Sequence, residues 1–337
     1  MKKEEFCNFV GIDVSKKTLD VVFIFNKEID KNTHQQFSND GDGIKKIIGL
    51  VKKQKGATNL NTLFCFEHTG IYGRKLAFTL TEKQYRVWIE MPVTILRSMG
   101  LQRGKNDKVD SKRIAVYALK NYDQAKLWQA PRKEVETLRQ LITTRERLIG
   151  SLNSLKMPIK ECKQTGNNEL VVLLEKSVKN AVKGLEKDIK TVEDKMDVVI
   201  KNDEALTKLF KLVTSIPGIG KITAIELIYF TNEFKMYTEA KQLACYCGVA
   251  PFEHTSGTSV RGKTRVNHMA NKSLKTRLHL CAMSAIQYDP ELKTYYNRKV
   301  GEGKNKMLVI NAVRNKLVHR IAAVVKRETP FRHKMAA

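Results

Sequence analysis

The chain has 337 residues, with 61 Lys and Arg against 35 Asp and Glu, and a formal net charge of +26. That length accommodates two domains and a connector, each able to bury its own core. The charge calls for a polyanionic partner, of which nucleic acid is the usual one, and no run approaches the roughly 18 to 20 uncharged apolar residues of a membrane span, so no membrane partner is expected. A basic protein with merely solvated Lys faces is the plainer alternative. The N-terminus, Met-Lys-Lys-Glu-Glu, has no apolar stretch of signal-peptide type, so a cytoplasmic location is expected. Six cysteines are scattered along the chain, several in apolar runs, and read as reduced core thiols.

From residue 8 to 120 the hydrophobic period alternates between two and 3.6. Strands are predicted at 8–14, 19–26, 33–38, 61–67 and 85–91, and helices at 41–54, 71–83 and about 107–121. Three strands in succession, then helix, strand, helix, strand, helix, is the order of an RNase H-like (RuvC-like) α/β domain, assigned to 1–125. Between 126 and 205 the chain is rich in Lys and Glu, and Leu138, Leu141, Leu148, Leu152 and Leu155 recur at three- and four-residue steps. Pro158 and the polar run 163–168 break that pattern, which Val178, Val182, Leu185, Ile189, Val192, Met196 and Val199 resume. Two such helices around a turn predict an antiparallel hairpin, a coiled-coil arm serving as spacer or as oligomerisation surface.

The third region, 206–337, is predicted to be mainly α. Ser215-Ile-Pro-Gly-Ile-Gly220 stands between two helical patterns, the signature of a helix-hairpin-helix. Gly218 and Gly220 would let the turn approach a phosphate, with the backbone N–H groups at Lys221 forming the anion site. A simple tight connection between helices is the competing reading. Further on, Gly248-Val-Ala-Pro251 and Ser256-Gly257 precede Arg261, Lys263, Arg265, Lys272, Lys275 and Arg277, with no acidic residue from Ser256 to Arg277. A Ser-Gly step in a basic loop suits a hydroxyl nucleophile approaching phosphate, while an ordinary surface turn is the bland reading. Thr255, Thr258 and Ser259 compete for the same role.

Four carboxylates supply the other half of the chemistry. Asp13 and Glu67 close apolar runs that read as neighbouring strands, and Asp107 and Asp110, three apart at a helix start, would share one face. Phosphodiester cleavage needs charge neutralised on an oxygen-rich transition state, which two Mg²⁺ ions about 4 Å apart achieve with hard oxygen ligands. Singly, Asp107 reads as an N-cap and Asp110 as a first-turn dipole partner.

With both clusters in hand, the chain resembles the DEDD-type transposases of the insertion-sequence 110 family, relatives of the Piv-type DNA invertases. The resemblance covers nearly the full length. It rests on Gly11-Ile-Asp-Val-Ser15, Glu67-His-Thr-Gly-Ile-Tyr72 and Lys105-Asn-Asp-Lys-Val-Asp110, then on Ile216-Pro-Gly-Ile-Gly220, Gly248-Val-Ala-Pro251 and Ser256-Gly257. It implies a transposase domain over 206–337, Mg²⁺ held by Asp13, Glu67, Asp107 and Asp110, and attack on DNA by Ser256 to give a covalent phosphoserine link. It further implies donor and target DNA as partners, a structured non-coding guide RNA, an active site shared between subunits of a dimer or tetramer, and association with the bacterial nucleoid. Two positions depart from the family pattern: Ser111 replaces a common Ala, and Ala270 falls where many members carry Lys-Arg-Gly.

The expected function is therefore that of a DNA transposase/recombinase, with Mg²⁺-dependent strand cleavage and exchange through a covalent phosphoserine link. Arg261, Lys263 and Arg265 would contact phosphates near the nucleophile. One rival is a RuvC-like endonuclease using metal-activated water. Another is a non-catalytic helix-hairpin-helix protein that only binds nucleic acid.

Overall fold

The computed structural model describes residues 5–98, 100, 106–256 and 260–333, with the side chains of His254, Ser256, Val260, Arg261 and Lys263 outside that description. Two compact units emerge, Met1–Ala130 and Pro131–Ala337. Among the described residues no helix is long and apolar enough to cross a membrane.

The first unit is built on strands β1 (Asn8–Val14), β2 (Thr18–Ile24), β3 (Thr33–Ser38), β4 (Thr62–Glu67) and β5 (Arg86–Glu90). They form one sheet in the order β3-β2-β1-β4-β5. The β1–β2 and β2–β3 pairs are antiparallel, whereas β1–β4 and β4–β5 are parallel. Helices α1 (Gly41–Lys53), α2 (Arg74–Glu82), α3 (Pro92–Ser98) and α4 (Asp107–Asn121) complete the unit.

Both faces of the central strands are covered, which is why β1, β2 and β4 read as nearly unbroken apolar runs. Val10, Ile12, Phe64 and Phe66 join Ile44, Ile47 and Val51 of α1 and Leu76 and Leu80 of α2 in one core. Phe9, Val22, Leu63, Cys65 and Trp88 point the other way, onto Ile114, Ala115 and Ala118 of α4. Predicted strands and helices agree with these elements to within a few residues at each end. The short α3 was not anticipated.

The second unit opens with two long helices, α5 (Lys133–Gln164) and α6 (Asn168–Lys201), that pack against each other as the predicted helical hairpin. Pro158 lies inside α5 rather than ending it. The polar run supplies the turn instead, with Gly166 at φ 75°. Ion pairs bridge the two helices of the arm, including Lys156–Glu186 at 2.7 Å and Lys163–Glu175 at 2.8 Å. At its root, Val135, Leu138, Ile142, Val192, Met196 and Ile200 belong to the same core as the helices that follow.

Those helices are α7 (Glu204–Thr214), α8 (Lys221–Phe230), α9 (Ala240–Tyr246), α10 (Lys272–Tyr288), α11 (Pro290–Gly301) and α12 (Lys306–Arg327). Between α9 and α10 stands an antiparallel pair, β6 (Pro251–Ser256) and β7 (Val260–Val266). The sequence reading expected a basic loop there. Arg132 ties the unit together, its guanidinium donating to Asp203 at 2.6 Å and to Glu233 at 2.6 Å. All six cysteines are free thiols.

Candidate active site at the carboxylate edge

Strand register decides which side chains meet. In β1, Phe9 faces α4, so alternation places Gly11 and Asp13 on that face too. A Cβ on Gly11 would lie 2.2 Å from the Ala115 nitrogen and 2.5 Å from the Ser111 carbonyl oxygen. Only glycine lets α4 lie this close to the strand. Asp13, two residues farther along β1, therefore emerges beside the first turn of α4, where Asp107 and Asp110 stand.

The neighbouring strands add to this edge. Asp13 pairs across β1–β2 with Asp20. Ile12 pairs with Phe66, so the next step along the parallel ladder sets Asp13 beside Glu67. Glu67 in turn pairs with Glu90. By alternation Asp20, Asp13, Glu67 and Glu90 all project toward the α4 face, one from each of four adjacent strands. Three of the four predicted carboxylates, Asp13, Asp107 and Asp110, interact electrostatically. Glu67 joins them by register.

Asp20 and Glu90 were missed by the sequence reading. Asp20 interrupts the apolar run of β2 and is 4 % exposed, a signal that was available. It lies 2.9 Å from His34 Nε2 and accepts from Gln36 Nε2 at 3.0 Å. Glu90 closes β5 as Glu67 closes β4; its carboxylate accepts the Met91 N–H at 2.7 Å and the Tyr117 hydroxyl at 3.4 Å.

The electrostatic consequence falls on Asp13, whose carboxyl is pushed up to about 6. Burial is the first cause, followed by the charges of Asp107, Asp110 and Asp20, against a lowering hydrogen bond from the Val14 backbone. The N-cap of α4 is Asn106, which accepts the Val109 N–H at 2.8 Å. Asp107 is thus not spent on capping, contrary to the plainer reading of that residue. Asp110 does pair locally, with Arg113 at 2.7 Å. Ser111, one of the positions departing from the family pattern, is fully buried and donates to the Lys108 carbonyl at 3.0 Å.

Hard carboxylate oxygens crowded enough to raise a neighbour's pKa suit a cation such as Mg²⁺. Among the described residues no three His, Cys, Asp or Glu side chains already stand at ligand spacing. A Mg²⁺ ion keeps several waters and needs only one or two carboxylates directly, so the donor set fits without that spacing.

In the second unit, the backbone of Ser256 ends β6, paired with Val260, and Thr255 pairs with Arg261. Gly257, Thr258 and Ser259 lie outside the described residues, as do the side chains of Ser256, Arg261 and Lys263. Arg265 is exposed on β7 opposite Phe252.

The predicted anion turn lies between α7 and α8. Gly218 has φ 92°, and a Cβ there would meet the Cys281 carbonyl oxygen at 2.7 Å, so packing on α10 already demands glycine. Gly220 is the N-cap of α8, with open space where a Cβ would stand and no side-chain cap hydrogen bond. Lys221 is committed elsewhere: its ammonium donates to the Glu193 carbonyl at 3.1 Å and to Asp197 at 2.7 Å, both on α6. Arg277, counted among the basic cluster, donates to the fully buried Glu226 at 2.8 Å.

Comparison with known proteins bears on both halves. A DEDD transposase family model of the IS110 type, described as Transposase, matches residues 10–163. The model described as Transposase IS116/IS110/IS902 family matches residues 210–297. The pilin gene-inverting protein of Moraxella bovis is 28% identical over 331 residues, covering 96% of this chain and 97% of that protein. Its counterpart in Moraxella lacunata is equally similar, at 28% over 331 residues. The insertion element IS110 uncharacterized 43.6 kDa protein of Streptomyces coelicolor is 30% identical over 129 residues, 38% of this chain and 32% of that protein.

Proposed function

The chain belongs to the IS116/IS110/IS902 transposase family, and we propose that this enzyme of DNA recombination cuts and rejoins DNA strands using Mg²⁺ at Asp13, Glu67, Asp107 and Asp110 and a covalent link to Ser256. The observation that carries the metal half is the row of strand-end carboxylates facing the first turn of α4, with Asp13 raised to about 6 by burial and then by its acidic neighbours. The mixed sheet, antiparallel through β3-β2-β1 and parallel through β1-β4-β5, supports the RNase H-like (RuvC-like) reading of the first unit. Helices α7 and α8 around Ser215–Gly220 support the helix-hairpin-helix.

When bound, Mg²⁺ supplies charge neutralisation on the phosphate oxygens and a lower pKa for an attacking hydroxyl. The chain's own groups do the rest. Asp13 and Glu67 sit on rigid adjacent strands, so they offer carboxylates at fixed positions. Glu90 and Asp20 are themselves anchored, by the Met91 N–H and by Gln36, and hold the ends of the row. In strand cleavage the Ser256 Oγ–P bond forms, one ester P–O bond breaks, and the leaving oxygen departs as a sugar hydroxyl. Reversal with a different hydroxyl rejoins a new strand. The relatives named for inverting a pilin gene support rejoining, since inversion requires it.

Further parts of this proposal rest on the family resemblance and the +26 charge: a structured guide RNA, a dimer or tetramer, and residence with the nucleoid. Exposed Val172 and Leu173 on the arm support an assembly role.

The test is to trap the protein on a cleaved DNA end by denaturing electrophoresis. A shifted protein–DNA band that disappears in Ser256→Ala is the expected result. Strand exchange that survives Ser256→Ala refutes the serine step.

A further inference from the structure

Helix α6 sorts its charges by face, and its outward face has no part in the catalytic scheme. Toward α5 it turns Val178, Val182, Leu185, Ile189, Val192 and Met196, all half-buried or buried. On the opposite side Lys176, Lys179, Lys183, Lys187 and Lys190 recur at three- and four-residue steps, and all five are exposed. At the helical rise of 1.5 Å per residue they form a stripe about 21 Å long.

Acids are present on α6, but they are used elsewhere. Glu175, Glu186 and Glu193 reach across to α5, where they pair with Lys163, Lys156 and Arg145. Among the described residues none of the five stripe lysines has an ion pair. Consecutive members stand at i, i+3 or i, i+4, so each ammonium repels its neighbours where an interleaved Glu would attract. Solubility does not require this. The outward face of α5 carries Gln140, Thr144, Arg147, Ser151 and Ser154 over the same length, one cation against five.

A row of unpaired cations at regular intervals suits a polyanion with regularly spaced charge. Duplex DNA presents one phosphate charge per roughly 1.7 Å of its axis. Lysines meet phosphates as mobile point charges and need no particular base. No aromatic residue falls between Lys176 and Lys190, so the stripe offers no platform for stacking unpaired bases. A double-stranded backbone is therefore the fitting occupant.

We propose that the outward face of α6, from Lys176 to Lys190, is a docking surface for the phosphate backbone of duplex DNA. The arm then holds DNA instead of serving only as spacer or assembly surface. The proposal rests on the reading of the chain as a DNA recombinase, and it adds a contact made by neither the carboxylate edge nor the Ser256 hairpin.

The experiment measures binding of a fluorescein-labelled DNA duplex of mixed sequence to the full chain, by anisotropy in EDTA, across a salt series. One variant combines Lys179→Gln, Lys183→Gln and Lys187→Gln. A control combines Lys46→Gln, Lys52→Gln and Lys53→Gln, which removes equal charge from exposed positions on α1. For the stripe variant, affinity should fall by roughly tenfold or more and the log–log salt slope should become shallower by about two to three ions. Its melting temperature should equal or exceed that of the wild type, since like-charge repulsion is relieved. A loss no larger than the control's overturns the proposal. If the stripe variant fails to melt cooperatively, Lys183→Gln alone decides: a slope shallower by about one ion supports the surface, and an unchanged slope overturns it. A parallel titration with an RNA hairpin tests the polymer, and a loss confined to RNA overturns the assignment to DNA. Absence of duplex binding by the wild type would overturn the recombinase reading along with the proposal, whereas failure of the stripe alone leaves that reading standing.

Discussion

The two units treat charge in opposite ways. At the carboxylate edge, like charges are gathered by backbone register, and burial together with their mutual field pushes Asp13 up to about 6. In the second unit several cations are held in internal pairs: Lys221 is bound to α6, Arg277 to Glu226, Arg320 to Asp289. Net charge therefore indicates the class of partner, and pairing indicates which residues are free to meet it.

Changes at the edge should have the largest effects on chemistry. On the proposed role of Asp13, Asp13→Asn should reduce Mg²⁺-dependent strand cleavage by about a thousandfold or more, the loss of several kcal/mol of transition-state stabilisation. Cleavage within tenfold of wild type would break the contrast between the units. In the second unit, Arg277→Met strands the buried Glu226 and should destabilise that unit by roughly 3–5 kcal/mol, read from urea melts. A stable Arg277→Met protein with weakened DNA binding would mean that Arg277 serves DNA rather than the fold.

Smaller effects sharpen the picture. Gly11→Ala drives a methyl into the backbone of α4 and should cost about 1–3 kcal/mol, with cleavage falling as Asp107 and Asp110 shift away from Asp13. An unchanged melt would show that α4 can move off the strand freely. The Asp13 carboxyl is raised in the folded state, so it favours folding below its ordinary value of 3.8, and that contribution is lost as pH rises through 3.8 toward about 6. In metal-free buffer, wild type should lose stability across that window relative to Asp13→Asn, as measured by melts at several pH values. The smallest effect is expected at Lys221→Met, which should leave the salt dependence of DNA binding unchanged because its ammonium already serves Asp197 and Glu193.

Most of the first unit was readable because both faces of its central strands are buried, and apolar periodicity records burial. Asp13 and Glu67 stand out as acids at the ends of such runs, and Asp107 and Asp110 as acids three apart at a helix start. Asp20 and Glu90 escaped, since pairing across strands is a matter of register that a linear pattern does not display. The β6–β7 hairpin was read as a loop for a related reason. Pro251, Phe252 and Glu253 are all exposed, so no buried face imposed alternation on that strand. Pro158 was read as a break, but α6 lies along α5 and holds it helical past the missing N–H. The fate of Lys221 and Arg277 was invisible for the same underlying reason: their partners lie 24 to 51 residues away.

The most direct measurement is calorimetric titration of Mg²⁺ into the full chain and into Asp13→Asn. Binding by wild type, with buffer-dependent heat below pH 6 as Asp13 gives up its proton, and loss of that binding in Asp13→Asn are the predicted results. Equal Mg²⁺ binding by the two proteins would contradict the account.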